Sequence, residues 1–104
     1  MAGWIVRRRL AQVSTRLREL RGELAIVDEQ LAVFVDDAEN QEIRALVSET
    51  PGAAFEANDA RKHADAMRRH RDHVANKIDE LEQRQDELLD SLLAVAAEAD
   101  GRGA

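Results

Sequence analysis

Apolar residues recur along this chain in alternating steps of four and three. The first series runs Val6, Leu10, Val13, Leu17, Leu20, Leu24, Val27, Leu31, Phe34, Ala38, Gln41 and Ala45, and only Gln41 is polar. The second runs Ala57, Ala60, Ala64, Met67, Arg71, Val74, Ile78, Leu81, Gln85, Leu88, Leu92, Val95 and Ala99, where Arg71 and Gln85 are the exceptions. A chain that is 44% hydrophobic would leave about half of such positions polar, so the spacing marks a seam. A sustained period of 3.5 residues predicts a left-handed coiled coil. Between the two series lies Ser48-Glu49-Thr50-Pro51-Gly52, the one cluster of turn residues inside the chain. Thr50 suits an N-cap, and Pro51 then takes the first helical position, where its missing N–H costs nothing. The pattern predicts a helix over about 4–47, a turn at 48–50, a helix over about 51–99 and a frayed tail at 100–104 that begins at Asp100-Gly101. Each helix would be roughly 65–70 Å long at 1.5 Å per residue.

The first series is weakest from Asp36 to Glu42, where the seam holds only Ala38 and Gln41. Asp36-Asp37-Ala38-Glu39 has the form of a fresh capping box, and Ile43, Leu46 and Val47 fall off the earlier frame. A kink or short break near 36–41 is therefore an alternative to one continuous first helix.

Composition narrows the fold class. Its 104 residues suffice for one small domain, 1–104. With aromatics at 3%, one Pro and five Gly, a β-sandwich or barrel is disfavoured and an all-α fold expected. There is no Cys, which excludes disulfides, thiolate metal sites and thiol chemistry. No apolar stretch approaches the roughly 18 residues of a membrane span, and no secretory signal is evident, so a cytoplasmic location is expected.

Charge decides how the helices pair. Residues 1–22 carry six Arg and one Glu, and residues 23–50 carry eight acids and one Arg. Residues 53–77 carry six bases and four acids, and residues 78–104 eight acids and two Arg. Folding back at Pro51 lays basic against acidic along both halves, whereas a parallel homodimer stacks like on like. Exposed pairs are individually worth only tenths of a kcal/mol, but their pattern sets orientation. The expected fold is a long antiparallel helical hairpin, a two-helix coiled coil.

A hairpin buries one stripe per helix, and apolar residues off the seam show where more burial is available. Trp4 and Ile5 lie at the same end as Leu89 and Leu93, and these four are the candidate partner-binding residues. Either Trp4 folds over its own hairpin end, or this end is a dimer contact or docking surface, with an antiparallel four-helix homodimer as one form. The arginines Arg7, Arg8, Arg9, Arg16, Arg18 and Arg21 are expected to pair with the acidic C-terminal arm. An overall charge of −6 then argues against nucleic-acid binding. His63, His70 and His73 are the most enzyme-like cluster, His70 and His73 being three residues apart. The surrounding Lys62, Arg68, Arg69 and Arg71 would repel a dication, while Asp65–Arg69 and Arg68–Asp72 are expected as helical ion pairs. Neither a metal, a cofactor nor a catalytic residue is assigned. Arg71 and Gln85 on the seam are read as register-fixing polar residues.

The segments RLREL (16–20), VDEQLA (27–32), RALVSETP (44–51), HADAMRRHRDHV (63–74) and QDELLD (85–90) resemble a family of small uncharacterised actinobacterial coiled-coil proteins. The use of 13 Arg against two Lys accords with a GC-rich genome. The resemblance implies a coiled-coil protein and carries no activity to transfer. The hairpin also resembles in architecture the arm of Gre-type transcript-cleavage factors, although only Glu49 lies in its turn and the acidic tip motif is absent. No enzyme class is indicated: there is no phosphate loop and no nucleophile beside a base. The expected function is a non-enzymatic protein–protein interaction or scaffold module. The alternative is a hairpin regulator that binds a transcription or translation machine such as RNA polymerase or the ribosome.

Overall fold

A computed structural model describes residues 2–103, with side chains through Gly101. The chain is all-α and forms a helical hairpin of α1 (Gly3–Ser48) and α2 (Pro51–Gly103). Only Glu49 and Thr50 lie between the helices. Glu49 takes a left-handed φ of 51° and donates its N–H to the Ala45 carbonyl at 3.1 Å, which ends α1. Thr50 then caps α2: its Oγ accepts from the Ala53 N–H at 3.3 Å, and its carbonyl accepts from the Ala54 N–H at 3.1 Å. Pro51 is the first residue of α2, as the turn chemistry predicts.

The seam organises all of the burial. Among the described residues the ten buried apolar side chains are Val6, Leu17, Leu20, Val27, Ala38, Ala57, Ala64, Val74, Ile78 and Leu88, and each sits on the 3.5-residue frame. The other seam residues are half-buried, except Ala99, which is exposed, so the seam closes at Val95. No described buried side-chain polar atom lacks a hydrogen-bond partner.

One alternative is set aside and one boundary corrected. α1 runs unbroken through 36–41, because Ala38 is fully buried and Gln41 and Ala45 keep the frame half-buried beyond it. The frame wins over the local capping box, and its consequence is that Ile43, Leu46 and Val47 face solvent. At the other end α2 stays helical to Gly103 instead of stopping near 99, since no described glycine takes the positive φ that a glycine stop requires. Ala104, the last residue of the expected tail, lies outside the described residues.

The chain divides into two compact units, Met1–Gly22 with Asn76–Ala104, and Glu23–Ala75. In the first, a Cβ built on Gly3 would lie 3.4 Å from Val95 Cγ1, so the first turn of α1 sits against the last seam residue of α2. Gln85 donates from Nε2 to Ser14 Oγ at 3.1 Å, and Arg21 pairs with Glu82 at 3.3 Å. In the second unit, which contains the turn, Arg61 pairs with Glu42 at 2.7 Å and Arg71 with Asp28 at 2.9 Å. Both units therefore pair basic with acidic across the hairpin, the antiparallel match that segment charge predicts.

Candidate interaction surfaces

The terminal end of the hairpin is assembled by the first unit. Arg21 and Glu82 mark one flank of its seam. Leu89 lies one heptad beyond Glu82, and Arg7 lies two heptads before Arg21, so both share that flank. Leu93 and Trp4 stand one helical turn from Leu89 and Arg7, on its outer edge. Trp4 is 65% exposed and Leu93 68%, Leu89 is also exposed, and Ile5 is half-buried. Trp4 thus does not fold over its own hairpin end, where Val6 and Leu88 are the buried seam residues.

The N-terminal arginines are only partly paired. Arg21 reaches Glu82 across the hairpin, and Arg16 bonds Glu19 within its own helix at 3.1 Å. Arg7, Arg8 and Arg18 make no ion pair among the described residues. Arg21 thus makes the expected pairing with the acidic arm, whereas Arg16 turns to its own helix. Exposed ion pairs gain too little to immobilise long side chains, so most of the complementarity stays diffuse.

The three histidines do not converge. His63 Nε2 lies 3.9 Å from Asp59 Oδ2, and His70 Nε2 lies 3.8 Å from Glu23 Oε1 across the hairpin. Together with Phe34, Ala66 and Met67 they line a shallow apolar groove of about 520 Å³, where Phe34 and His63 meet edge-on with ring centroids 6.5 Å apart. His73 is exposed and does not line it. Among the described residues no group of three or more His, Asp or Glu side chains is arranged to hold a metal ion. Asp65–Arg69 and Arg68–Asp72 do not form. Asp72 meets Arg71 instead, at 3.5 Å.

Arg71 and Gln85 both reach across the seam, Arg71 to Asp28 and Gln85 to Ser14. Arg71 lays its stem along the apolar stripe while its head leaves for Asp28, the hydrogen bond that, ahead of Asp72, holds its guanidinium still more firmly protonated. Likewise, the hydrogen bond from Arg61 holds the Glu42 carboxyl below its ordinary value. Such pairs favour one register over slipped ones, because a slip leaves each partner unmatched.

Sequence reasoning missed the apolar surface at the turn end. Ile43 (60% exposed), Leu46 (78%), Val47 (82%) and Phe55 (72%) surround the turn in the second unit. Two shallow grooves flank it. Leu46 lies with Ala45, Ala54 and Ala57 beside the Glu42 flank, in a groove of about 410 Å³. Ile43 and Val47 line the other, of about 660 Å³, with Gln41, Arg44, Ala53 and Glu56. The available signal was the departure of Ile43, Leu46 and Val47 from the frame, which signifies outward-facing residues on a straight helix as readily as a break.

No family model, curated protein or solved structure matches this chain.

Proposed function

We propose that this hairpin is a non-enzymatic coiled-coil interaction or scaffold module, offering apolar contacts at its terminal end and at its turn end. The observation that carries this reading is a balance: among the described residues nine large hydrophobic side chains are exposed while only ten apolar residues are buried. Scattered apolar exposure is ordinary, but here Trp4, Leu89 and Leu93 gather in one unit and Ile43, Leu46, Val47 and Phe55 in the other. Trp is the side chain most enriched among residues that dominate interface energetics. An apolar cluster in each unit suits a scaffold that joins proteins in the cytoplasm, and a homodimer through the Trp4 end is one such use. No helix among the described residues is long and apolar enough to cross a membrane.

The test is site-specific photo-crosslinking in the source cell from positions 4, 93, 46 and 47, with the exposed polar positions 40 and 83 as controls. Adducts from the apolar positions and none from the controls are expected; silence at all four apolar positions overturns the reading. Sedimentation equilibrium of the native chain and of Trp4→Ala with Leu93→Ala separates self-association from an outside partner, the monomer being 11.6 kDa. A second reading draws on the exposed turn end: a hairpin that inserts its tip into a transcription or translation machine such as RNA polymerase or the ribosome. Co-purification with that machine through moderate salt distinguishes it.

A further inference from the structure

We infer that the terminal end pairs with the same face of a second copy of this chain, about a two-fold axis parallel to the helices. Each α1 then lies against α2 of the other copy. This rests on the interaction-module reading and specifies the partner, and its orientation, for one of the two surfaces.

Charge on this face is separated by helix. On α1 the stripe beside the Arg21–Glu82 pair runs Trp4, Arg7, Ala11, Ser14, Arg18 and Arg21, and every charge on it is basic. On α2 the matching stripe runs Asp79, Glu82, Asp86, Leu89, Leu93 and Ala96, and every charge on it is acidic. Arg21 and Glu82 spend their charge on each other, but Arg7, Arg18, Asp79 and Asp86 make no ion pair among the described residues. The opposite flank of the same unit is built differently. There Arg16–Glu19, Lys77–Glu80 and Arg84–Glu87, at 3.1, 3.5 and 3.2 Å, neutralise charge within each helix. Trp4, Leu89 and Leu93, the exposed large hydrophobics among the described residues of this unit, all lie on the separated flank.

A two-fold interface must be complementary to itself. An axis along the helices meets that condition, because it sets each basic stripe on an acidic one, whereas an axis across them sets basic on basic. It also keeps every residue at its own level. Arg21 is level with Glu82 and Gly3 with Val95, so Ala11 stands level with Leu89 and Trp4 with Ala96. Across the axis Trp4 therefore meets Ala96 of the second copy, and Leu89 meets its Ala11, a large side chain on a small one in both cases. A phosphate-rich surface attracted to the basic stripe would be repelled by the acidic one beside it; a second copy carries the complement of both. The face is about 26 Å long and roughly 20 Å wide, so two copies bury roughly 1,000 Å² in total, the lower end for a specific interface. The dimer is therefore weak.

Sedimentation equilibrium of the full chain, in low salt and up to high micromolar concentration, is expected to show a monomer–dimer equilibrium. Arg7→Glu with Arg18→Glu makes both stripes predominantly acidic, and Asp79→Lys with Asp86→Lys makes both predominantly basic. Each variant alone should dimerise at least about tenfold more weakly than the native chain, and an equal mixture of the two should restore association. All four positions are exposed and off the seam, and circular dichroism checks that each variant stays helical. Single cysteines report the orientation, since the chain has none of its own. Ala11→Cys mixed with Leu89→Cys should give at least about fivefold more disulfide dimer than either alone, because the axis brings α1 to α2 of the second copy. A native monomer throughout the series, a mixture that associates no more tightly than its components, or a predominance of self-disulfides would each overturn the inference. Cellular crosslinks from positions 4 and 93 that join only a different protein would sink it while leaving the module reading intact. Silence at positions 4, 93, 46 and 47 sinks both.

Discussion

Leu17→Ala measures how much one seam residue contributes to a fold this thin. Leu17 is fully buried, one of the two largest side chains so enclosed. The substitution deletes three carbon groups worth about 0.8 kcal/mol each in transfer free energy, or roughly 2.4 kcal/mol. A cavity adds to that in a globular core, where comparable changes cost about 2.7–5.0 kcal/mol. In a two-helix seam the flanking side chains and water close much of the gap, so the expected loss is about 2.5–3 kcal/mol. Urea unfolding followed by circular dichroism at 222 nm reads it as a lowered midpoint at unchanged slope. Leu93→Ala is the control: at 68% exposure it should cost under about 0.5 kcal/mol at low micromolar concentration. If Leu17→Ala costs no more than Leu93→Ala under those conditions, the seam is not what holds the hairpin. A Leu93→Ala penalty that grows with protein concentration would instead place that residue in a dimer contact.

Three further outcomes are expected. Gly22 lies inside α1 with open space around its missing Cβ, so Gly22→Ala should raise stability by about 0.5–1 kcal/mol in the same urea assay; a loss would mean the position is crowded. Glu49→Gly should stabilise by about 0.5 kcal/mol, the relief of left-handed strain exceeding the added freedom of the unfolded chain, and a destabilised variant would show that the Glu49 side chain supports the turn. Glu42 has a folded pKa below its ordinary value of 4.5, so its contribution is present above that value and is lost as pH falls through the lower, folded one. Stability measured across acid pH should therefore fall more steeply in the native chain than in Glu42→Gln, and parallel profiles would refute the pairing with Arg61.

Much of the architecture is legible one residue at a time. The 3.5-residue frame names every buried side chain, because burial on a helix follows position along one stripe. Thr50 and Pro51 announce the turn, since capping chemistry is local. Segment charges predict the antiparallel pairing later seen at Arg61–Glu42, Arg71–Asp28 and Arg21–Glu82. The polar seam residues Arg71 and Gln85 stand out in the sequence as exceptions, but their partners Asp28 and Ser14 are 43 and 71 residues away, and only the helix register brings them together.

Tertiary structure decided what local pattern left balanced. Between Asp36 and Glu42 a capping box competed with a weak seam, and packing of Ala38 across the hairpin kept α1 continuous. That choice turned Ile43, Leu46 and Val47 outward and created the turn-end surface. The paired helices also leave Trp4 in solvent and His73 apart from the groove that His63 and His70 line. Periodicity records which face of a helix meets its partner. What the remaining faces present together depends on which distant segment lies alongside, and that is a property of the paired helices.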